Sequence, residues 1–85
     1  MSHDFDVGKR CSRAFGDRLV EETYSWFADE QPELHTWLVT FMEKWEIVPV
    51  RDETVFDYDT GMAYFHVYLR LYEQNDVVLF KLRWR

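Results

Sequence analysis

Cysteine, long apolar runs and cysteine-based motifs are nearly absent from this chain. Cys11 is the single cysteine among 85 residues, which excludes an intramolecular disulfide and a zinc site built on cysteines. No apolar run approaches the ~18 residues of a membrane-spanning helix, and no basic segment followed by an apolar one marks a secretion signal. We therefore expect a cytoplasmic protein that makes no membrane contact.

Basic residues are the minority among the charged ones, with ten against 16 acids and a net charge of −6. The imbalance is local, since residues 17–59 hold twelve acids and three bases, whereas residues 70–85 hold four bases and two acids. A field of this sign repels phosphates and attracts basic surfaces. The same excess also fits an acidic surface that only maintains solubility.

Hydrophobic residues make up 47% of the chain and aromatic residues 19%. This is enough apolar area for one small core and too little for two. We expect a flexible N-terminal tail over residues 1–8 and a single α+β domain over residues 9–85.

Two helices are predicted in the acidic half. Asp17 follows Gly16 and suits the N-cap of a helix that extends to about Ala28. Pro32 suits the first position of a second helix. An apolar stripe at helical spacing follows it, formed by Leu34, Trp37, Leu38, Phe41, Met42 and Trp45. The short connection between the two helices predicts an antiparallel pair.

From residue 47 the apolar period becomes two, which predicts strands at residues 47–51, 54–58, 62–72 and 78–84. Pro49 restricts the first strand to a sheet edge or a bulge, and Gly61 suits a turn position with positive φ. The predicted fold is therefore α+β, with two N-terminal antiparallel helices packed on a three- to four-stranded antiparallel meander.

No metal, cofactor or catalytic motif survives inspection of the spacing. Asp57, Asp59 and Gly61 resemble the start of a calcium loop, but Met62 and Tyr68 then occupy the positions of the required Gly and Glu. A general acid and base would have to come from Asp52, Glu53, Asp57 and Asp59, and nothing in the sequence places two of them across a cleft. We expect no cofactor and no enzymatic activity.

The strand at residues 62–72 carries an alternating polar row, formed by Tyr64, His66, Tyr68, Arg70 and Tyr72. Tyrosine and arginine are typical of protein-binding hot spots, and aromatic rows also stack nucleic-acid bases. The residues Gly61 to Phe65 partly resemble the RNA-contacting strand of RNA-recognition motifs. A solvated amphipathic strand explains the row equally simply.

In layout, two helices followed by a meander with a basic end resemble the small ribonuclease toxins of toxin–antitoxin pairs. That resemblance implies RNA contacts by Tyr72, Lys81, Arg83 and Arg85. The net charge of −6 argues against direct nucleic-acid binding.

The sequence thus predicts a small acidic, non-enzymatic module that binds a basic protein. The most specific form of this prediction is an inhibitor of the kind made by phages and mobile elements, which occupies the basic nucleic-acid-binding surface of a host enzyme. The alternatives are an RNA-binding or RNA-cleaving module and an accessory subunit of a larger complex. The predicted partner-binding residues are Glu21, Glu22, Asp29, Glu30, Glu33, Asp52, Glu53, Asp57 and Asp59, with Tyr64, His66, Tyr68, Arg70 and Tyr72.

Overall fold

The computed structural model describes residues 2–84 of the chain. Strand β1 is followed by two helices, a hairpin of two strands and a last helix. The bounds are β1 (His3–Ser12), α1 (Gly16–Glu30), α2 (Pro32–Phe41), β2 (Trp45–Asp57), β3 (Met62–Leu71) and α3 (Gln74–Trp84). The prediction of an α+β chain is confirmed, but its order of elements is not.

The three strands form one antiparallel sheet in the order β1-β3-β2, so that β3 lies in the centre. Alternate residues of β3 are buried, as the period of two predicts. Phe65 is 7% exposed, and Val67, Leu69 and Leu71 are fully buried. The intervening residues, from Tyr64 to Arg70, lie on the other face and are exposed or half-buried.

All three helices cover the same face of the sheet. Their buried residues Phe27 of α1, Leu38 of α2 and Phe80 of α3 join the buried residues of β3 in one core cluster. Complete burial of such side chains stabilises each by about 1.5–3 kcal/mol relative to exposure. Within residues 2–84, the opposite face of the sheet has no helix over it and is called the open sheet face below.

The predicted N-terminal helices have strands on both sides, so the prediction of a helical N-terminus on a meander is wrong. Residues 3–8, which were expected in a flexible tail, belong to β1, which pairs with β3. Only two apolar residues, Phe5 and Val7, mark this strand in the sequence. Gly8, with φ of 143°, lies next to a register shift that interrupts the alternation. Charged residues are common on edge strands, which explains why this one does not look like a strand.

The segment at residues 78–84, predicted as a last strand, lies in helix α3. Its buried residues are Val77 and Phe80, whereas Val78 and Leu82, which a strand would place on the same core-facing side as Phe80, are 46% and 79% exposed. The spacing of 77, 80 and 84 is helical, and the run of alternate apolar residues hides it. Leu, Lys and Arg in this segment also favour a helix. Arg85 lies outside the described residues.

Both predicted helices begin within a residue or two of the predicted positions, but the N-cap of the first helix and the end of the second differ from the prediction. Helix α1 begins at Gly16, which has φ of 64°, and its N-cap is Phe15, so Asp17 lies in the first turn rather than at the N-cap. Helix α2 begins at Pro32 as predicted and ends at Phe41. Trp45, the last member of the predicted helical stripe, therefore starts β2 instead.

The two strands predicted at residues 47–51 and 54–58 are parts of one strand, β2, across a register irregularity between Arg51 and residue 56. β2 ends at Asp57, and Tyr58 lies in the turn that follows. Pro49 lies on this strand, which is a sheet edge, as the missing N–H of proline requires. Gly61 has φ of 72° in the turn that leads into β3, as predicted.

Candidate functional site

The candidate site is the open sheet face, and its centre is a row of polar side chains along β3. Because paired residues of neighbouring strands point to the same side, the register defines which residues flank the row. From β1 these are Asp4, Asp6 and Lys9, paired with Arg70, Tyr68 and His66. From β2 Glu46 pairs with Arg70 and Val48 with Tyr68. Tyr64 and Tyr72 are exposed, with 37% and 43% of their surface accessible.

Arg70 holds the two edge strands together at one end of the row. Its Nε and Nη2 donate to the two carboxylate oxygens of Asp4 at 2.9 and 3.1 Å. Its Nη1 lies 3.6 Å from Oε1 of Glu46 on the other edge. The hydrogen bonds from Arg70 lower the pKa of Asp4, and the same contact with Asp4 raises the pKa of Arg70. The guanidinium is therefore paired within the chain rather than presented to a ligand.

Tyr72 extends this network beyond the end of β3. Its hydroxyl donates a hydrogen bond to Oε1 of Glu46, the same carboxylate that faces Arg70. This bond stabilises the neutral phenol and raises the pKa of Tyr72. The Glu46 carboxylate thus contacts both the Arg70 guanidinium and the Tyr72 hydroxyl, and it orients both side chains.

His66 occupies the middle of the row, beside Asp52 of β2. The His66 Nε2 and Asp52 Oδ2 atoms lie 3.3 Å apart, and the His66 and Tyr68 rings have centroids 6.5 Å apart. Oδ1 of Asp52 accepts hydrogen bonds from the Thr54 hydroxyl at 2.6 Å and the Thr54 N–H at 3.0 Å. These bonds from Thr54 lower the pKa of Asp52. The carboxylate is held ionised beside the imidazole.

The β2–β3 turn adds further acids at the other end. Asp57, Asp59 and Tyr58 line a shallow depression together with Tyr64. Oδ1 of Asp57 accepts hydrogen bonds from the N–H groups of Asp59 and Thr60, at 3.0 and 3.3 Å, which shapes the turn. The turn predicted at Gly61 is confirmed, and the carboxylates of Asp57 and Asp59 beside it lie next to the aromatic row.

The predicted partner-binding residues therefore fall into two groups. The structure brings Asp52, Asp57 and Asp59 to the row of β3, and Glu53 is exposed on the same edge strand. The remaining acids, Glu21, Glu22, Asp29, Glu30 and Glu33, lie on α1 and α2, which pack on the covered face of the sheet. Glu22 is half-buried and contacts Arg18 at 3.0 Å and Arg10 at 3.9 Å. The acids of the helices and those of the open face do not form one surface.

Sequence reasoning missed three carboxylates that flank the row, Asp4, Asp6 and Glu46. Asp4 and Asp6 were assigned to a tail, and Glu46 fell between a predicted helix and a predicted strand. The alternation of Asp4, Phe5, Asp6 and Val7 is the one signal that could have placed the first two on a strand. Six carboxylates therefore border the row, and the cations on the same face are Arg70 and Lys9. The six are those of Asp4, Asp6, Glu46, Asp52, Asp57 and Asp59.

Residues 2–84 contain no cluster of three or more His, Cys, Asp or Glu side chains that could hold a metal ion. In the same residues, no helix is long and apolar enough to cross a membrane. The layout that resembled ribonuclease toxins is not present, because Lys81 and Arg83 lie on α3 and Tyr72 follows the central strand. Comparison with protein-family models, curated proteins and solved structures finds no match for this chain.

Proposed function

We propose that this chain is a small acidic, non-enzymatic module whose open sheet face binds a basic protein. The observation that carries the proposal is the charge of that face: six carboxylates surround an aromatic row, and the arginine within the row is already paired with Asp4 and Glu46. Such a face offers acceptors and aromatic rings to incoming lysine and arginine side chains. It offers few cations to an acidic ligand.

The contact chemistry follows from the side chains present. Carboxylates accept charge-assisted hydrogen bonds from guanidinium and ammonium groups, and these bonds are about twice as strong as neutral ones. Tyr64 and Tyr68 add ring faces over which a partner cation can lie, and tyrosine is enriched among hot-spot residues. Arg70 pairs with Asp4, and His66 pairs with Asp52. These two pairs order the side chains of the face before a partner binds, which limits the entropy lost on association.

The acids of the helices receive a different role in this proposal. Asp29, Glu30 and Glu33 are exposed at the junction of α1 and α2 and lie outside the open face. Charges beyond direct contact still attract an oppositely charged protein and speed its encounter, within a Debye length of about 8–10 Å. We assign these acids to steering rather than to the contact itself.

The aromatic row is also the observation that favours RNA, because stacked tyrosines bind single-stranded bases. Repulsion between phosphates and the six carboxylates opposes that function, and Arg70 is not available to offset it. We therefore place the protein partner first. The most specific form of this proposal is an inhibitor that occupies the nucleic-acid-binding surface of a cytoplasmic enzyme. An accessory subunit of a larger complex would use the same face.

The test is affinity capture from a nuclease-treated lysate with immobilised wild type, the Tyr64→Ala/Tyr68→Ala double variant and Tyr24→Ala. Tyr24 is a matched control, since it is 41% exposed but lies on α1 in the helical layer. The proposal requires a basic protein that wild type and Tyr24→Ala both retain and the double variant loses. Purified partner must then bind directly, with a rate that falls as salt is added.

Two results would contradict the proposal. One is a captured protein that the double variant retains as well as wild type does. The other is direct binding of a single-stranded RNA, measured by fluorescence anisotropy, that the double variant abolishes. The second result would move the function to the nucleic-acid alternative.

A further inference from the structure

A second polar surface lies at the start of α1 and is not part of the open sheet face. A cavity of about 640 Å³ lies between the end of β1 and the first two turns of α1. Its charged walls are Arg10, Arg13, Arg18 and Glu22, and Phe15 and Met62 contribute apolar area. Three positive groups and one negative group give this cavity a charge of +2 in a chain whose net charge is −6.

Arg10 is the most buried cation of the cavity. Its side chain is 14% exposed, and its Nε is buried without a hydrogen-bond partner. Its Nη1 donates to the Thr23 hydroxyl at 3.4 Å, and its Nη2 lies 3.9 Å from Glu22. A buried guanidinium is costly unless its N–H groups are satisfied. The contacts within the chain satisfy Arg10 only in part.

Glu22 does not balance the cavity, because Arg10 and Arg18 share its carboxylate. Its Oε1 accepts from Arg18 Nε at 3.0 Å, while its Oε2 faces the Ser12 hydroxyl at 3.4 Å as well as Arg10. Arg13 is exposed on the segment that joins β1 to α1. Glu22 therefore pairs with two of the three guanidinium groups of the cavity, Arg10 and Arg18, and the excess positive charge faces the cavity.

We propose that this cavity binds a phosphate monoester. The planar guanidinium fork matches phosphate oxygens two at a time, and the charge of +2 matches a phosphate dianion. The cavity lies beside the first turn of α1, where Phe15 supplies no side-chain cap, so the dipole of the helix adds to the field of the arginines. Phe15, which is 84% exposed, and Met62 provide a surface for the organic part of the ligand.

The experiment is isothermal titration calorimetry on the full chain with inorganic phosphate, ribose 5-phosphate and AMP as separate probes. Arg13→Gln/Arg18→Gln removes two exposed cations and should leave the fold intact, and Arg10→Gln removes the buried one. Lys44→Gln is the control, because it removes an equal charge at an exposed position of the segment that joins α2 to β2. Loss of one charged hydrogen bond corresponds to about tenfold weaker binding or more.

Binding of a phosphate ester that falls about tenfold in the double arginine variant and is unchanged in Lys44→Gln supports the site. AMP binding more tightly than ribose 5-phosphate identifies a nucleotide as the source of the phosphate, and equal affinities identify a sugar phosphate. Absence of heat with all three probes at millimolar concentration overturns the proposal. Equal loss in Lys44→Gln overturns it too, because the effect would then follow net charge rather than this cavity.

Discussion

Arg70 on the central strand and Asp4 on the first strand form a two-bond pair between residues 66 positions apart in sequence, with contacts of 2.9 and 3.1 Å. The pair fixes β1 beside β3 and at the same time neutralises the arginine of the open sheet face. One contact therefore contributes to the fold and to the negative charge that the face presents. The fold and the proposed function depend on the same strand, which the sequence pattern hides.

Replacing Asp4 by Asn should make stability less dependent on pH. The pKa of Asp4 is lowered by Arg70, so its contribution is present above the pKa of an unfolded Asp and disappears as pH falls. Because both side chains are about one-third exposed, the loss should stay below about 1 kcal/mol at neutral pH. Urea unfolding of wild type and variant from about pH 7 to about pH 2 checks this. A difference in unfolding free energy between wild type and Asp4→Asn that stays constant over that pH range would contradict this prediction. Asp29→Asn is the control, because it removes an exposed carboxylate of α1.

Tyr72 should keep its phenolic proton to higher pH than an ordinary tyrosine, because Glu46 accepts its hydrogen bond and raises its pKa. Glu46→Ala should lower the Tyr72 pKa. The stability from this bond is present below the usual tyrosine pKa of about 10 and is lost as pH rises through the folded-state value. NMR titration of the tyrosine ring carbons follows each residue separately. A Tyr72 titration that is unchanged in Glu46→Ala would show that the bond is absent in solution.

Val77 and Val78 give a matched test of helix α3. In the helix Val77 is 1% exposed and Val78 is 46% exposed. Val77→Ala should cost about 2 kcal/mol in the free energy of unfolding, and Val78→Ala less than about 0.5 kcal/mol. Denaturant melts of the two variants measure both values. The reverse order of the two costs would restore the strand that the sequence favoured here.

Gly8 should not tolerate a side chain. Its φ of 143° belongs to a region that only glycine occupies easily, and a Cβ would lie 3.0 Å from Cη2 of Trp26 on α1. Gly8→Ala should cost about 2 kcal/mol or more. Gly16→Ala is the control, since its φ is also positive but nothing lies within 4 Å, and it should cost about 1 kcal/mol. Equal costs in thermal or urea melts would mean that β1 does not pack against Trp26 as described.

The parts of the fold that the sequence predicted are those with dense local signals. The alternation from Ala63 to Leu71 fixed the central strand, Pro32 marked the start of α2, and Gly61 marked the turn. Each depends on residues within a few positions of one another. The tyrosine and histidine positions of the open face followed directly from the alternation.

The parts that were missed depend on distant contacts. β1 is a strand because Phe5 packs on Phe80, with ring centroids 4.5 Å apart, and because Arg70 pairs with Asp4. Neither partner is within 60 positions, so the segment alone looks like a charged tail. In α3 the apolar residues occupy positions compatible with both periods, and packing against Trp37 decides between them. Three of the six acids around the open face were missed for the same reason. Asp4 and Asp6 lie on the unrecognised strand β1, and Glu46 lies at the start of β2, which was not predicted there.

The affinity of the captured partner for Tyr64→Ala and for Tyr24→Ala decides whether a basic protein binds the open sheet face. The two tyrosines are 37% and 41% exposed and lie on opposite layers of the molecule. We predict at least about tenfold weaker binding for Tyr64→Ala and less than about twofold change for Tyr24→Ala. A larger loss of affinity for Tyr24→Ala, with Tyr64→Ala close to wild type, would place the interface on the helices and not on the open sheet face.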